Sequence, residues 1–215
     1  MLVARMMYPV RTLGPGDRLG IWVCGCRRRC PNCANPELWA FDPSHEIPVP
    51  ALLEVIGTVC AQTAITGLTI SGGEPFEQAE ELAQLLMRLP AQLQDVLIFS
   101  GYTLDQLHGR QSEAVEQVLS RTSVLVDGEY VDELNDGHPL RGSQNQCIHY
   151  LQPGARERYT AYIAGQPETV QNFVTDDATF SVGIHHRSFV QDIRQRMAAK
   201  GCQSARTEEA EETDT

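Results

Sequence analysis

From Leu19 to Asp127 the chain repeats one pattern: a short aliphatic run, a polar or glycine cluster, then a stretch with helical spacing. The runs are Leu19–Cys24, Gly67–Ser71, Asp95–Ser100 and Ser123–Asp127. Between them, Pro50–Gln62 sets Leu52, Leu53, Val55, Ile56 and Val59 at the spacing of a covering helix. Glu77–Leu89 likewise places Leu82, Leu85, Leu86 and Leu89 on one face. Thr103 with Gln106 carries the signature of a capping box, and Glu113–Ser120 continues the helical layer. Strand and helix in alternation predict an α/β fold with a mostly parallel sheet. In such sheets chemistry gathers beyond the C-terminal ends of the strands. The cysteine-rich loop after Leu19–Cys24, Gly72-Gly73-Glu74, Ser100-Gly101-Tyr102 and Asp127-Gly128 all fall there.

The flanks are less regular. Ala4–Thr12 is expected to pair with Leu19–Cys24 through the turn residues Gly14-Pro15-Gly16-Asp17. After Asp127, Arg141–Asn145 reads as a loop, Tyr159–Ile163, Val170–Val174 and Thr179–Ile184 as strands, and Phe189–Lys200 as a closing helix. With 215 residues and 42% hydrophobic content, one domain over residues 1–202 is the expectation. Gln203–Thr215 sets five acidic residues against Arg206 and has no large apolar side chain, so it is expected to be a disordered acidic tail. No run of about 18 apolar residues or signal-peptide core is evident, which makes the cytoplasm the default compartment. A net charge of −11 argues against a broad nucleic-acid surface.

Four of the seven cysteines crowd into Cys24–Cys33. In a reducing compartment such crowding points to metal or redox chemistry. Cys26-x3-Cys30-x2-Cys33 puts three thiolates on one short loop, able to wrap three corners of an iron–sulfur cube and leave one iron open. Structural zinc held by four cysteines uses two close pairs set farther apart, which four cysteines within ten residues fit poorly. Plain buried thiols fit poorly beside Arg27-Arg28-Arg29. Cys24 reads as a small core residue; as a fourth ligand it would make the protein an iron–sulfur electron carrier instead of an enzyme.

Cys26-x3-Cys30-x2-Cys33 followed by Thr69-Ile70-Ser71-Gly72-Gly73-Glu74-Pro75 resembles the radical S-adenosylmethionine superfamily. With Ser100-Gly101-Tyr102-Thr103, Val126-Asp127-Gly128 and Arg141-Gly142-Ser143-Gln144-Asn145-Gln146, the chain is more closely similar to the activating proteins of anaerobic ribonucleoside-triphosphate reductase. The resemblance spans about Gly14 to Gln146. It implies a partial (βα) barrel, a [4Fe-4S] cluster on Cys26, Cys30 and Cys33, and S-adenosylmethionine on the open iron. It also implies cleavage to a 5′-deoxyadenosyl radical that takes a hydrogen atom from a glycine of a partner enzyme. Other proteins, peptides or small molecules are the alternative substrates. Cys24, Asn32 and Glu129 depart from the usual family pattern, and the chain runs well past Gln146.

Individual residues carry expectations within that frame. Gly72, Gly73 and Glu74 are expected at the methionine moiety, Asn32 and Ala34 at the adenine, and Ser100 and Asp127 at the ribose or methionine part. A plain turn is the competing reading for Gly72-Gly73 and for Ser100. Arg27, Arg28 and Arg29 form a solvated basic loop or a docking site for an acidic low-potential electron donor such as flavodoxin. His185 and His186 read as a surface or core pair, and Trp22 and Trp39 as core or cluster-shielding residues. No segment reads as a lid, so a macromolecular partner is expected to close the mouth, with Arg27–Arg29 and Arg141-Gly142-Ser143 on its rim.

Overall fold

A computed structural model describes residues 1–165, 167–175 and 178–199. The acidic tail and the end of the expected domain at residue 202 lie outside the described residues. The chain divides into a unit Met1–His185 and a unit beginning at His186.

The first unit is built on a six-stranded sheet in the order β1-β2-β3-β4-β5-β6. β1 (Val3–Val10) pairs antiparallel with β2 (Arg18–Val23), as the glycine-rich turn predicts. β3 (Gly67–Gly72), β4 (Val96–Ser100) and β5 (Val124–Asp127) follow in parallel. Their crossovers are α1 (Val49–Gln62), α2 (Ala79–Met87), α3 (Leu104–Gly109) and α4 (Glu113–Arg121). The capping box of Thr103 and Gln106 is formed at the start of α3.

Side chains alternate across the sheet. Leu19, Ile21, Val23, Leu68, Ile70, Val96, Ile98 and Leu125 pack with α1, α2 and α4 in one apolar cluster. The opposite face carries Trp22 and Cys24 in a second cluster and Leu97, Val124 and Val126 in a third.

Two elements differ from expectation. Tyr159–Ile163 is not a strand but part of helix α5 (Ala155–Ala164). Ala155 and Tyr159, one helical turn apart, are fully buried in the third cluster. A short antiparallel strand, β6 (Cys147–Tyr150), closes the sheet edge on β5. β7 (Val170–Val174) and β8 (Thr179–Gly183) form a separate antiparallel hairpin. In the second unit, α6 (Phe189–Ala199) is the expected helix, and His186 stands 3.8 Å from Asp192 there. No helix among the described residues is long and apolar enough to cross a membrane.

One buried ion pair sits at the N-terminal end of the parallel strands. The Arg18 side chain is fully buried; it donates to Asp95 Oδ2 at 3.0 Å, Thr69 Oγ1 at 2.7 Å and the Leu68 carbonyl at 2.7 Å. Tyr159 from α5 donates to Asp95 Oδ1 at 3.1 Å. Truncating the arginine strands a buried carboxylate, so Arg18→Ala is expected to cost about 3–5 kcal/mol in denaturant unfolding. A loss below about 1 kcal/mol, the range of exposed pairs, would show that Asp95 is not held by this pair.

Candidate active site

The cysteine loop leaves β2 at Cys24 and returns along Leu38 and Trp39. Gly25 N–H donates to the Leu38 carbonyl at 2.9 Å and Cys26 N–H to the Trp39 carbonyl at 3.0 Å. Between these anchors Arg29 (φ 48°) and Asn32 (φ 56°) adopt left-handed backbone, and Cys33 lies near enough to Cys26 and Cys30 for its charge to act on both thiols. Amide groups point at each sulfur: those of Arg28 and Arg29 at Cys26, that of Tyr130 at Cys30, and that of Asn35 at Cys33 at 3.5 Å. Burial pushes the Cys26 and Cys30 thiols above the ordinary range, and these amides act against it. Amide bonds to sulfur are a known means of tuning iron–sulfur clusters.

Thiolates sharing one tetrahedral zinc, with bonds near 2.3 Å, lie about 3.8 Å apart. Among the described residues, no three of these cysteines bring their sulfurs within 4.8 Å of one another. Cys24 is 2% exposed in the apolar cluster of Val10, Leu13, Trp22, Leu38 and Val182, the core role expected for it.

The Gly-Gly-Glu segment locks this loop to the sheet. A Cβ on Gly72 would lie 2.4 Å from the Val23 carbonyl oxygen, and one on Gly73 2.6 Å from that of Gly25. Both glycines are therefore required by the chain's own backbone. Gly73 N–H donates to Val23 at 2.7 Å and Glu74 N–H to Gly25 at 2.8 Å. The Glu74 carboxylate, 1% exposed, accepts from Phe76 N–H at 3.0 Å, Ser100 Oγ at 2.9 Å and Gly101 N–H at 2.7 Å. Ser100 Oγ in turn accepts from Tyr102 N–H at 3.1 Å.

Ser100 and Asp127 are register partners, and by alternation both side chains continue the helix-facing side of the sheet. Asp127 Oδ2 accepts from Leu104 N–H at the start of α3 at 2.5 Å. His149 Nε2 lies 2.8 Å from the same oxygen, without the alignment of a hydrogen bond. With the exposed Cys147 these form a close Asp–Cys–His group at the β5–β6 edge. Asn32 and Ala34 are exposed on the cysteine loop. The strand ends thus gather Gly73, Glu74, Ser100 and Asp127, but Glu74 and Ser100 bond each other and neighbouring amides, and Asp127 is taken up by Leu104 and His149.

The arginines divide. Arg27 pairs with Glu77 and stacks 4.8 Å over Phe41. Arg28 pairs with Glu129 at 2.9 Å and lies 5.0 Å over the Tyr102 ring, whose other neighbour is Arg110 at 3.9 Å. Tyr102 Oη donates to Glu77 at 2.6 Å, joining both arginine contacts into one strap across the site. Sequence reading missed Glu77, Tyr102 and Glu129 as partners because nothing local marks pairs 25 to 101 residues apart. Arg29 is exposed and has no ion pair among the described residues. The loop expected at the rim is structural instead: Ser143 is fully buried, and Arg141 pairs with Asp136 at 2.6 Å.

These features set three cysteines on one loop at the C-terminal edge of a parallel sheet, beside the Gly-Gly-Glu segment. Residues 12–149 match the family model described as the 4Fe-4S single cluster domain. The anaerobic ribonucleoside-triphosphate reductase-activating protein of Escherichia coli is 33% identical over 152 residues, covering 67% of this chain and 96% of that protein. The protein of the same name from Vibrio cholerae is 34% identical over 150 residues, covering 66% and 94%. The pyruvate formate-lyase-activating enzyme of Staphylococcus aureus is 35% identical over 140 residues, covering 63% of this chain and 55% of that enzyme. The chain belongs to the radical S-adenosylmethionine family of glycyl-radical-enzyme activating proteins.

Cys26→Ala, Cys30→Ala and Cys33→Ala are each expected to lose the cluster, and Cys24→Ala to keep it. Iron that collapses in Cys24→Ala would make Cys24 a ligand. A second expectation concerns Glu74, whose carboxyl is pushed up to about 7 by burial, against the hydrogen bonds of Phe76, Gly101 and Ser100 and the charge of Arg110. Its ordinary value is 4.5, so between those values the folded chain keeps a proton that the unfolded chain releases. Stability contributed by this group therefore falls as pH rises through that window, by on the order of 3 kcal/mol in all. Melting curves from about pH 5 to about pH 8 should show wild type losing stability relative to Glu74→Gln. Parallel curves would mean that Glu74 is already ionised when folded.

Proposed function

We propose that this chain installs a glycyl radical on an anaerobic ribonucleotide reductase-like partner. The observation that supports this most is the coupling of the three-cysteine loop to the Gly-Gly-Glu segment, in a chain related over its first two thirds to activating proteins. Cys26, Cys30 and Cys33 would hold the [4Fe-4S] cluster, which when bound would supply the electron for splitting S-adenosylmethionine into methionine and a 5′-deoxyadenosyl radical.

The chain's own residues hold that chemistry in place. Backbone carbonyls at Gly72 and Gly73, with backbone groups at Asn32 and Ala34, meet S-adenosylmethionine. Glu74, Ser100 and Asp127 complete the site by fixing the strand ends from beneath. The parallel strands form the wall of a partial (βα) barrel whose inner side carries Trp22, Ser71 and Phe99. Arg29, and the exposed side of Arg27, offer the positive charge at which an acidic low-potential donor such as flavodoxin docks. Arg28 is occupied by Glu129 and Tyr102 and serves the loop itself.

The test is anaerobic reconstitution of the cluster, reduction with dithionite, and addition of S-adenosylmethionine with the anaerobic ribonucleoside-triphosphate reductase of the same organism. The expected products are 5′-deoxyadenosine and a glycine-centred doublet by electron paramagnetic resonance. Formation of 5′-deoxyadenosine with no glycyl signal, while a peptide or metabolite changes mass, would move the substrate elsewhere.

A further inference from the structure

The β7–β8 hairpin lies outside residues 12–149, the segment matched by the family model, and nothing in the sequence marks it as functional. Its placement does. A cavity of about 120 Å³ opens on the sheet face opposite the helices, lined by Trp22, Ser71 and Phe99, by Asn35 two residues past Cys33, and by Ile184 and His185 at the end of β8. One wall of the space next to the cluster loop is therefore built by the hairpin.

The wall is fixed at several points. Thr12 Oγ1 donates to the Val182 carbonyl at 3.0 Å in a buried contact. Gln171 donates to the Pro9 carbonyl at 2.8 Å and accepts from Arg11 N–H at 3.0 Å, tying β7 to the end of β1. Arg5 lies 5.3 Å over the Phe180 ring, and Asn135 donates to the His185 carbonyl at 2.9 Å. Val182 is 5% exposed in the cluster that also holds Trp22 and Cys24.

Size and chemistry limit what enters. Sites for small molecules usually hold about 300 Å³ or more, so this opening suits a narrow insert rather than a metabolite of ordinary size. Its walls are apolar at Trp22, Phe99 and Ile184 and carry polar groups at Ser71, Asn35 and His185, a mixture that suits the amides of an extended peptide. A residue without a side chain passes most easily. We propose that Ile184 and His185, at the end of the hairpin, form the substrate-selecting wall of the reaction chamber and admit an extended, glycine-bearing peptide segment of the partner. This rests on the activating function proposed above. Hydrogen moves as an atom: the glycine Cα–H bond breaks, the C–H bond of 5′-deoxyadenosine forms, and the unpaired electron stays on the glycine. A wall that fits the segment excludes water and ties each cleavage to one such transfer.

The experiment reads coupling, the amount of glycyl radical formed per 5′-deoxyadenosine, on the reconstituted full chain with the same reductase and dithionite. Ile184→Trp, which fills the opening, is expected to lower coupling by about tenfold or more. Ile184→Ala and His185→Ala, which widen it, should lower it severalfold. Iron content is measured on each variant, and if Ile184→Trp fails to hold the cluster the two alanine variants decide. Wild-type coupling in the variants that retain iron overturns the hairpin's role and leaves the activating function standing. Wild-type chain that cleaves S-adenosylmethionine without producing any glycyl radical overturns both.

Discussion

The site depends on one buried carboxylate. Glu74 joins three things that the chain makes far apart: its amide holds Gly25 at the mouth of the cysteine loop, and its oxygens hold Ser100 and Gly101 at the end of β4 and Phe76 ahead of α2. A carboxylate that gives up water must recover its hydrogen bonds from the protein, and here backbone amides and one hydroxyl supply them. Arg110, bonded to the Phe76 carbonyl at 2.9 Å, brings a positive charge to the same region. The knot is costly to make, and it fixes the strand ends against the cysteine loop.

A site of this kind needs its ligands positioned before the reactive species is made. The cysteine loop is short, has two residues in left-handed backbone, and carries three arginines that would repel one another in the open. Its order comes from outside the loop: Leu38 and Trp39 behind it, Gly73 and Glu74 beneath, and the strap of Glu77, Tyr102 and Glu129 across it. These supports come from the loop's own return and from the segments that follow β3, β4 and β5, so the parallel sheet is what gathers them. The helices cover one face of that sheet and leave the other for Trp22, Ser71 and Phe99, where the hairpin meets them.

Much of this was legible in the sequence, because local pattern and function agree between Leu19 and Asp127. Apolar runs gave the strands, 3.6-residue spacing gave the helices, and the crowded cysteines marked the loop that the strand ends support. Tyr159–Ile163 misled because tyrosine, threonine and isoleucine favour strands, whereas a tertiary contact decides: Tyr159 reaches Asp95 from a helix. β6 is four residues at a sheet edge and exists through its pairing with β5. Ser100 and Asp127 were found at the right strand ends, but their direction follows from sheet register, which sequence alone does not supply. Arg28 reads as solvated because its partners, Glu129 and Tyr102, arrive from later strands.

The central claim is that three cysteines, and not four, hold the cluster, leaving one iron for S-adenosylmethionine. Mössbauer spectroscopy of chain reconstituted with iron-57 tests this directly, by comparing spectra with and without S-adenosylmethionine. The account predicts that one iron of the cluster changes its isomer shift on addition while the others keep theirs. A spectrum that S-adenosylmethionine leaves untouched, with all irons in thiolate environments, would contradict it and make Cys24 the fourth ligand of an electron carrier.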